Sequence, residues 1–500
     1  MNLTDKLFEK SKDLKKIAVF HKDQTITYEE LFSRICSTKV KLNKLGIKKN
    51  EKVVIIADNS FFFVIAYFAI IANGCVAVPL FPRIDDKELQ YILESCKVRT
   101  LFIQKKYAKK FLEKKFPMEF YFTNEEHEDF LNINELPRKI EVFADVNEKE
   151  DLAVMLFTSG STGKPKGVML SHYNINYNAD SIIEYIGLTK KDRFMQVLPF
   201  FYCYGTSWLH TIVKVGGQIV INNRFMFPGL VLDEINEKEC TGFAGVPSHF
   251  QILLRRSKFP KMKFPTLRFV TQAGGKLANR FIEELMNVLP EKQIFIMYGQ
   301  TEATARLSYL PPRLLRTKLG SIGKGIPKTK ISVLNKEGKP VKPGKVGELV
   351  AEGGNIMLGY WDDPEGTAKV LRDGKLHTED LGTVDEDGFI YIVDREKHII
   401  KSGGYRVSTK EVEDKIFEIP EVVEAAVIGI PDNILGEAIK LFVSIRKSDR
   451  KIDENFIIAH CKTNFPAHKV PKYVEFLTSL PKSSSNKVAY EDLKKRHGSN

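Results

Sequence analysis

The near-continuous apolar run from Phe61 to Phe81 constrains this chain before anything else does. Its length matches the roughly 20 apolar residues that cross a bilayer as a helix. Asn73-Gly74 interrupts it, however, and Pro79 follows close behind. The pattern predicts a helix over 61–72 with Ser60 as its N-cap, a turn at Asn73-Gly74, and a buried strand over 75–80. The helical part alone is too short to cross a membrane. A further strand is expected at 52–57, so the whole stretch reads as a strand–helix–strand unit of a doubly wound sheet.

Strand-like and helix-like segments alternate from about residue 50 to about 330, the α/β pattern. Strands are expected at 154–158, 217–221 and 292–297, with a helix at 281–289. From about 320 to 394 the texture changes to short strands punctuated by Lys336-Glu337-Gly338, Arg372-Asp373-Gly374 and Asp385-Glu386-Asp387-Gly388. Such turn signals predict a small antiparallel β-barrel subdomain. After Arg395 a third texture begins, with a helix over 410–417 and strands over 422–430 and 439–445. The expected organisation is a large N-terminal domain, 1–394, and a smaller, mobile α+β domain, 395–500. Five hundred residues suit two or three domains.

A net charge of +13 invites a polyanionic partner such as nucleic acid, an anionic membrane or a phosphate-rich substrate. The excess is spread: residues 395–500 carry +4 and residues 1–394 carry +9. No nucleic-acid motif accompanies it. The six cysteines are scattered without a C-x-x-C pair, which fits free thiols in a reducing cytoplasm better than a disulfide or zinc framework. The first residues carry no apolar signal-peptide core. A cytoplasmic protein without a transmembrane segment is expected.

The strongest chemical signal is Thr158-Ser159-Gly160-Ser161-Thr162-Gly163-Lys164-Pro165-Lys166-Gly167, directly after a strand. Glycines let such a loop turn tightly and aim N–H groups at phosphate oxygens. Hydroxyls add donors, and lysines add positive charge. It is not a Walker A loop, because Pro165 follows Lys164 where Ser or Thr is required. Nor does it give the Gly-x-Ser-x-Gly elbow of hydrolases.

At these residues the chain resembles the adenylate-forming superfamily: acyl- and aryl-CoA synthetases, luciferases and peptide-synthetase adenylation domains. The resemblance runs from about residue 15 to 496, with several motifs in the family's order. It implies that Thr158, Ser159, Gly160, Ser161, Thr162, Gly163 and Lys166 hold the ATP phosphates. Gln272-Ala273-Gly274-Gly275-Lys276 and Tyr298-Gly299-Gln300-Thr301-Glu302 follow. Gly274, Gly275 and Lys276 would flank the adenine and Tyr298 would stack on it, with Gly299 and Gln300 beside it. Thr301 would meet the α-phosphate, and Glu302 would hold Mg²⁺. Asp380 and Arg395 match the residues that reach the ribose, and Ile392 lies in the same nucleotide-binding set. Lys397 matches the hinge. Gly403 and Gly404 match the loop that passes the pantetheine arm, and Lys401 a lysine used by luciferases in their second half-reaction. Lys487 matches the adenylation lysine.

Leu198-Pro199-Phe200-Phe201-Tyr202-Cys203-Tyr204-Gly205 resembles the segment lining the acyl pocket, to which Trp208 and Phe243 are added. CoA ligases often carry His where Tyr202 stands. The Asp with which peptide synthetases clamp a substrate amine is missing, which disfavours an amino acid substrate. Around Lys487 the family usually has glycine where Ser484 and Asn486 stand; Asn tolerates left-handed backbone well. Arg306 would meet a second polar group on the substrate if it points inward. The implied activity is ATP-dependent formation of an acyl-adenylate from a hydrophobic carboxylic acid, then transfer to the thiol of CoA. Alternatives are an acyl-AMP ligase loading the phosphopantetheine arm of an acyl carrier protein, and a non-catalytic nucleotide- or acyl-binding relative.

Overall fold

The structure is a computed structural model that describes residues 1–114, 116, 118–126, 130–137, 142–158, 165–395, 399–484 and 486–497, without the side chains at 110, 112, 114 and 497. The helix Phe61–Ala72 lies where the sequence places it. The Ser60 hydroxyl accepts the Phe63 N–H at 3.2 Å, and Gly74 turns the chain with φ +74°. Every residue of this helix from Phe62 to Ala72 is buried. A helix apolar on all sides needs such surroundings. Here they come from the helices Leu3–Phe8 and Tyr28–Lys44 and from the strands Lys52–Ile56 and Val76–Leu80. Twelve residues reach only about 18 Å. Among the described residues no helix is long and apolar enough to cross a membrane.

The first sheet has nine strands, in spatial order Lys324–Gly325, Ser308–Leu310, Gln293–Tyr298, Phe269–Gln272, Gly242–Gly245, Arg193–Gln196, Gln218–Ile221, Ile17–His21 and Gln24–Thr27. Its interior pairings are parallel. The second has eight: Gly359–Tyr360, Lys166–Ser171, Leu152–Thr158, Val76–Leu80, Lys52–Ile56, Thr100–Ile103, Phe120–Thr123 and Leu131–Asn132. Helices cover the faces of both, as parallel sheets require.

The third sheet is antiparallel. Lys330–Leu334 pairs Gly347–Glu352, which pairs Lys375–Val384; the latter also carries Leu371–Arg372 and Ile390–Arg395. Asp373 and Gly374 both have positive φ (51° and 71°), which the two-residue turn between Arg372 and Lys375 demands. The sheet curls around a small core of Ile322, Val333, Leu349 and Ile390; Ile390 bridges Gly323 antiparallel, and the adjoining strand Lys324–Gly325 lies against Lys330–Leu334, the barrel-like closure the turns predict. The fourth and smaller unit is a sheet of Tyr405–Val407, Ile400–Ser402, Gly436–Ile445, Val422–Asp432 and Tyr473–Phe476, flanked by the helices Thr409–Ile416 and Glu454–Asn464.

Two neighbouring arginines at the end of the helix Pro247–Arg256 grip this smaller unit. Arg255 is buried and donates to the carbonyls of Phe417 (3.1 Å), Ile419 (3.2 Å) and Val422, while Glu284 (2.8 Å) balances its charge. Arg256 reaches Ser444 Oγ at 2.7 Å and the carbonyls of Ile445 and Thr478. Loss of the Ser60 cap is expected to cost about 1 kcal/mol. Ser60→Ala should therefore bring the urea unfolding midpoint to lower concentration, and Ser60→Asp should leave it close to wild type.

Candidate active site

The site is assembled at the ends of strands from three of the four sheets. At its centre lies Asp380, 5% exposed, on the strand Lys375–Val384. The Tyr298 hydroxyl donates to its Oδ2 at 2.6 Å, and Arg395 Nε donates to its Oδ1 at 2.7 Å. Arg395 faces Asp380 directly across the ladder, so strand register alone makes that contact. Burial works against the guanidinium's charge, but the Asp380 carboxylate outweighs it and holds Arg395 above the ordinary arginine range. Burial and the same carboxylate push the Tyr298 phenol well up, so it stays a donor.

Thr301 and Glu302 follow Tyr298 in a single 3-10 turn, Thr301–Ala303. Gly299 is required there: a Cβ would come within 2.1 Å of the Ala305 carbonyl oxygen. The Gln300 carbonyl accepts from the N–H groups of Ala303 and Ala305, closing the turn. Thr301 Oγ1 lies 3.5 Å from Cys203 Sγ. Tyr360 donates its hydroxyl to Glu302 Oε1 at 2.8 Å and so orients the carboxylate. Burial, then the Glu302 charge, raise the Tyr360 phenol far above its usual range.

Among the described residues the other Glu302 oxygen makes no hydrogen bond, and no group of three or more His, Cys, Asp or Glu gathers as a metal cage. One free, oriented carboxylate oxygen fits Mg²⁺, a hard ion usually held by one or two carboxylates together with substrate phosphates.

Lys487 enters this cleft from the smaller unit. A Cβ added at Gly274 would lie 3.1 Å from Lys487 Cε and 3.7 Å from its Nζ. Gly274 thus serves two needs, a φ of +89° and the room for this side chain. The residue keeps some solvent contact, yet the crowding about its ammonium lowers its pKa, chiefly by desolvation. Cys203, Glu302 and Asp380 oppose that effect, and Arg395 adds to it.

The loop carrying Lys487 is shaped by local bonds: Ser483 N–H to the Lys487 carbonyl at 2.8 Å, and Asn486 N–H to the Ser483 carbonyl at 2.9 Å. Asn486 has φ 60°, the left-handed geometry that Asn tolerates. Two contacts seat the loop on the large unit. Ser248 Oγ donates to the Asn486 carbonyl at 2.6 Å, and the hydroxyls of Tyr202 and Ser484 bond each other. Two of the three positions at which the sequence departs from the family pattern, Tyr202 and Ser484, are therefore partners.

The remaining expectations distribute as follows. Thr158 pairs with Lys166 at the mouth of a hairpin, and Lys166 Nζ stands 4.5 Å over the Tyr360 ring and 3.8 Å from Asp363. Ser159, Gly160, Ser161, Thr162, Gly163, Lys164 and the hinge Lys397 lie outside the described residues. Gly275 packs on Pro247, while Lys276 reaches across to Asp414 of the smaller unit at 2.7 Å. With Ile392 it borders a groove of about 870 Å³ between the two units. That groove lies beside the Asp380–Lys487 constellation and includes none of its central residues.

Tyr204 is buried and donates its hydroxyl to Thr271. Gly205 admits no side chain, since a Cβ would meet the Pro199 carbonyl oxygen at 2.0 Å. Phe243 is 3% exposed on its strand and stands edge-on to Phe250. Trp208 belongs to the sheet core: fully buried, it stacks on Phe194 at 4.0 Å. Lys401, Gly403 and Gly404 are not brought to Lys487. They form an exposed hairpin whose contacts lie within the fourth sheet, where Gly403 N–H bonds the Leu435 carbonyl. Sequence reasoning missed Tyr360, Ser248, Asp414 and the arginine pair, which carry no local motif.

Residues 9–361 match the AMP-binding enzyme family, and residues 411–487 match the AMP-binding enzyme C-terminal domain. The chain belongs to this adenylate-forming family, within its acyl-CoA synthetase type. It is 31% identical to a feruloyl-CoA synthase of Amycolatopsis sp, with 96% of each chain covered. To the long-chain-fatty-acid–CoA ligase of Salmonella typhimurium it is 29% identical, over 94% of this chain and 90% of that one. Among solved structures it is similar to the anthranilate CoA ligase AuaEII in complex with anthranoyl-AMP (TM-score 0.91, 25% identity, covering 99% and 97%). It is also similar to the o-succinylbenzoate CoA synthetase MenE of Bacillus subtilis (TM-score 0.85, 27% identity, covering 99% and 98%).

The Tyr202–Ser484 pair should couple energetically. Tyr202→Phe and Ser484→Ala should each slow acid-dependent ATP–pyrophosphate exchange, and the double variant should be little worse than either. The expected coupling is about 1 kcal/mol, read from a double-mutant cycle.

Proposed function

We propose that this enzyme joins a hydrophobic carboxylic acid to CoA in two steps, through an acyl-adenylate. The observation that supports this reading best is Lys487, carried by the smaller unit, lodged against Gly274 beside the Tyr298–Asp380–Arg395 set and Glu302. Residues 1–394 bind ATP and the acid, and residues 395–500 pivot about Lys397. In the first step an oxygen of the acid attacks the α-phosphorus of ATP, and the bond to the bridging oxygen of pyrophosphate breaks. Tyr298 offers the adenine a flat face, while Asp380 and Arg395 hold the ribose hydroxyls. Thr301 donates to the α-phosphate, and the residues from Thr158 to Lys166 cradle the departing phosphates.

Two anions must approach one another, and the Lys487 ammonium offsets the charge that builds on the α-phosphate in a partly desolvated cleft. Bound at Glu302, Mg²⁺ would add further positive charge against the phosphates. In the second step the CoA sulfur attacks the acyl carbon, and AMP leaves. That step needs a different set of groups, so rotation of the smaller unit replaces Lys487 with the Gly403–Gly404 hairpin.

The apolar character assigned to the acid rests on Tyr202, Tyr204 and Phe243 around Gly205. Relatives named for ferulate and for long-chain fatty acids agree with it. The same chemistry would serve the phosphopantetheine arm of a carrier protein, but the relatives' names favour CoA.

Lys487→Ala should abolish acid-dependent ATP–pyrophosphate exchange while sparing thioester formation from supplied acyl-AMP. Unchanged exchange would remove Lys487 from the first step. The pH profile supplies a second check. Because burial lowers the Lys487 pKa, the ammonium is present below that lowered value and lost as pH rises through it. Exchange should therefore decline on the alkaline side before an ordinary lysine would titrate. In Lys487→Arg, which stays charged, whatever exchange survives should lack that decline.

A further inference from the structure

Arg306 is wholly buried, with 0% of its surface exposed. Among the described residues no carboxylate pairs with it; Nη1 makes a long hydrogen bond to the Ala305 carbonyl at 3.4 Å, and the neutral Tyr185 hydroxyl is the other polar group beside the guanidinium. Among the described residues Nε and Nη2 have no acceptor at hydrogen-bond geometry. Those two nitrogens share one edge of the guanidinium, the edge that a carboxylate grips with one oxygen on each N–H. A buried charge with its best donor pair idle is unfavourable unless something fills the vacancy on binding.

The backbone cannot easily swing the side chain elsewhere. The Arg306 carbonyl accepts from Asn355 Nδ2 at 2.7 Å and Asn178 Nδ2 at 3.3 Å, and Asn355 is itself buried and bonded to Thr329. The guanidinium stands 4.2 Å over the Tyr204 ring, and Tyr204 belongs to the segment assigned to the acyl pocket. Cys203, one residue away, touches Thr301. The unused donors therefore lie in the neighbourhood where the body of the acid would sit.

We propose that Arg306 is a specificity-determining residue whose Nε and Nη2 bind a second carboxylate, so that the substrate is a dicarboxylic acid with an apolar middle. One carboxylate is activated near Lys487, and the other is held at Arg306. This rests on the reading of the site as an acid-activating one and names its substrate class.

The test uses pairs of acids matched in length and shape, hexanoic with adipic, octanoic with suberic and benzoic with terephthalic. Pyrophosphate release with ATP and CoA gives kcat/KM for each. The wild-type enzyme should favour the diacid at least tenfold in one or more pairs, mainly through KM. Arg306→Leu should reverse that preference, and Arg306→Lys, which offers a point charge in place of a fork, should fall between. Melting temperatures report folding. A residue kept for substrate rather than for stability should leave Arg306→Leu melting at or above the wild-type temperature. Arg306→Gln serves if Arg306→Leu does not fold.

A wild-type preference for the monoacid in every pair would overturn the proposal, and so would a preference that Arg306→Leu leaves unchanged. If no acid of any kind elicits pyrophosphate release, the acid-activating reading fails. The subsite is then judged by calorimetric titration of the diacids into the full chain. Binding that Arg306→Leu abolishes supports it; no binding, or equal binding, overturns it.

Discussion

Everything in this site depends on an ammonium carried by one folded unit being pressed into a cleft formed by another. Lys487 is separated from Gly274 by more than two hundred residues, and its loop is short and polar. What holds it there is the grip of Arg255 and Arg256 on the carbonyls of the smaller unit, supplemented by Ser248 at the loop itself. Hydrogen bonds from charged donors to carbonyls are strong and directional. Apolar packing adds to them: Phe281 stands edge-on to Phe417 at 5.0 Å across the same contact.

The charge arrangement in the cleft follows from that docking. Asp380 neutralises Arg395 and keeps the Tyr298 hydroxyl protonated, so these groups form a preorganised set for the nucleoside of the proposed reaction. Glu302 is oriented by Tyr360, and the Lys487 ammonium lies within the field of Glu302, Asp380 and Arg395. Preorganisation means that little reorientation is needed when charge develops on the α-phosphate. The same logic, read in reverse, singles out Arg306. Asp380, Arg395 and Glu302 each have a charged or hydroxyl partner, whereas among the described residues Arg306 has no carboxylate.

Much of this was legible in the sequence, for identifiable reasons. The helix Phe61–Ala72 announced itself by an apolar run with a hydroxyl cap at one end and Asn-Gly at the other. The glycines of the nucleotide motifs were legible because backbone sterics leave no alternative, as the near contacts at Gly205 and Gly299 make plain. The antiparallel texture after residue 320 was legible from its turns, but the Gly323–Ile390 bridge that brings its two sides together was not. Turn residues fix hairpins, whereas closure depends on strand tilt and stagger, which no local signal encodes. Trp208 was misplaced for a related reason: an aromatic beside a pocket and an aromatic beneath it have the same sequence signature. Tyr360, Ser248 and the Arg255–Arg256 pair gave no warning, since a lone tyrosine, serine or arginine is ordinary anywhere on a surface.

By itself the sequence determined the family, the order of the motifs and the chemical type of each reacting group, because these depend on residue identity and short-range spacing. Only the tertiary structure decided which groups face one another. It joined Tyr202 to Ser484, two departures from the family pattern that look unrelated along the chain and share one hydrogen bond in space. It paired Asp380 with Arg395 by strand register, and among the described residues it gave the Nε and Nη2 of Arg306 no acceptor at hydrogen-bond geometry. The physical reason is the same in each case. A polar group's role is set by what desolvates it and what pairs with it, and both are properties of the packed fold.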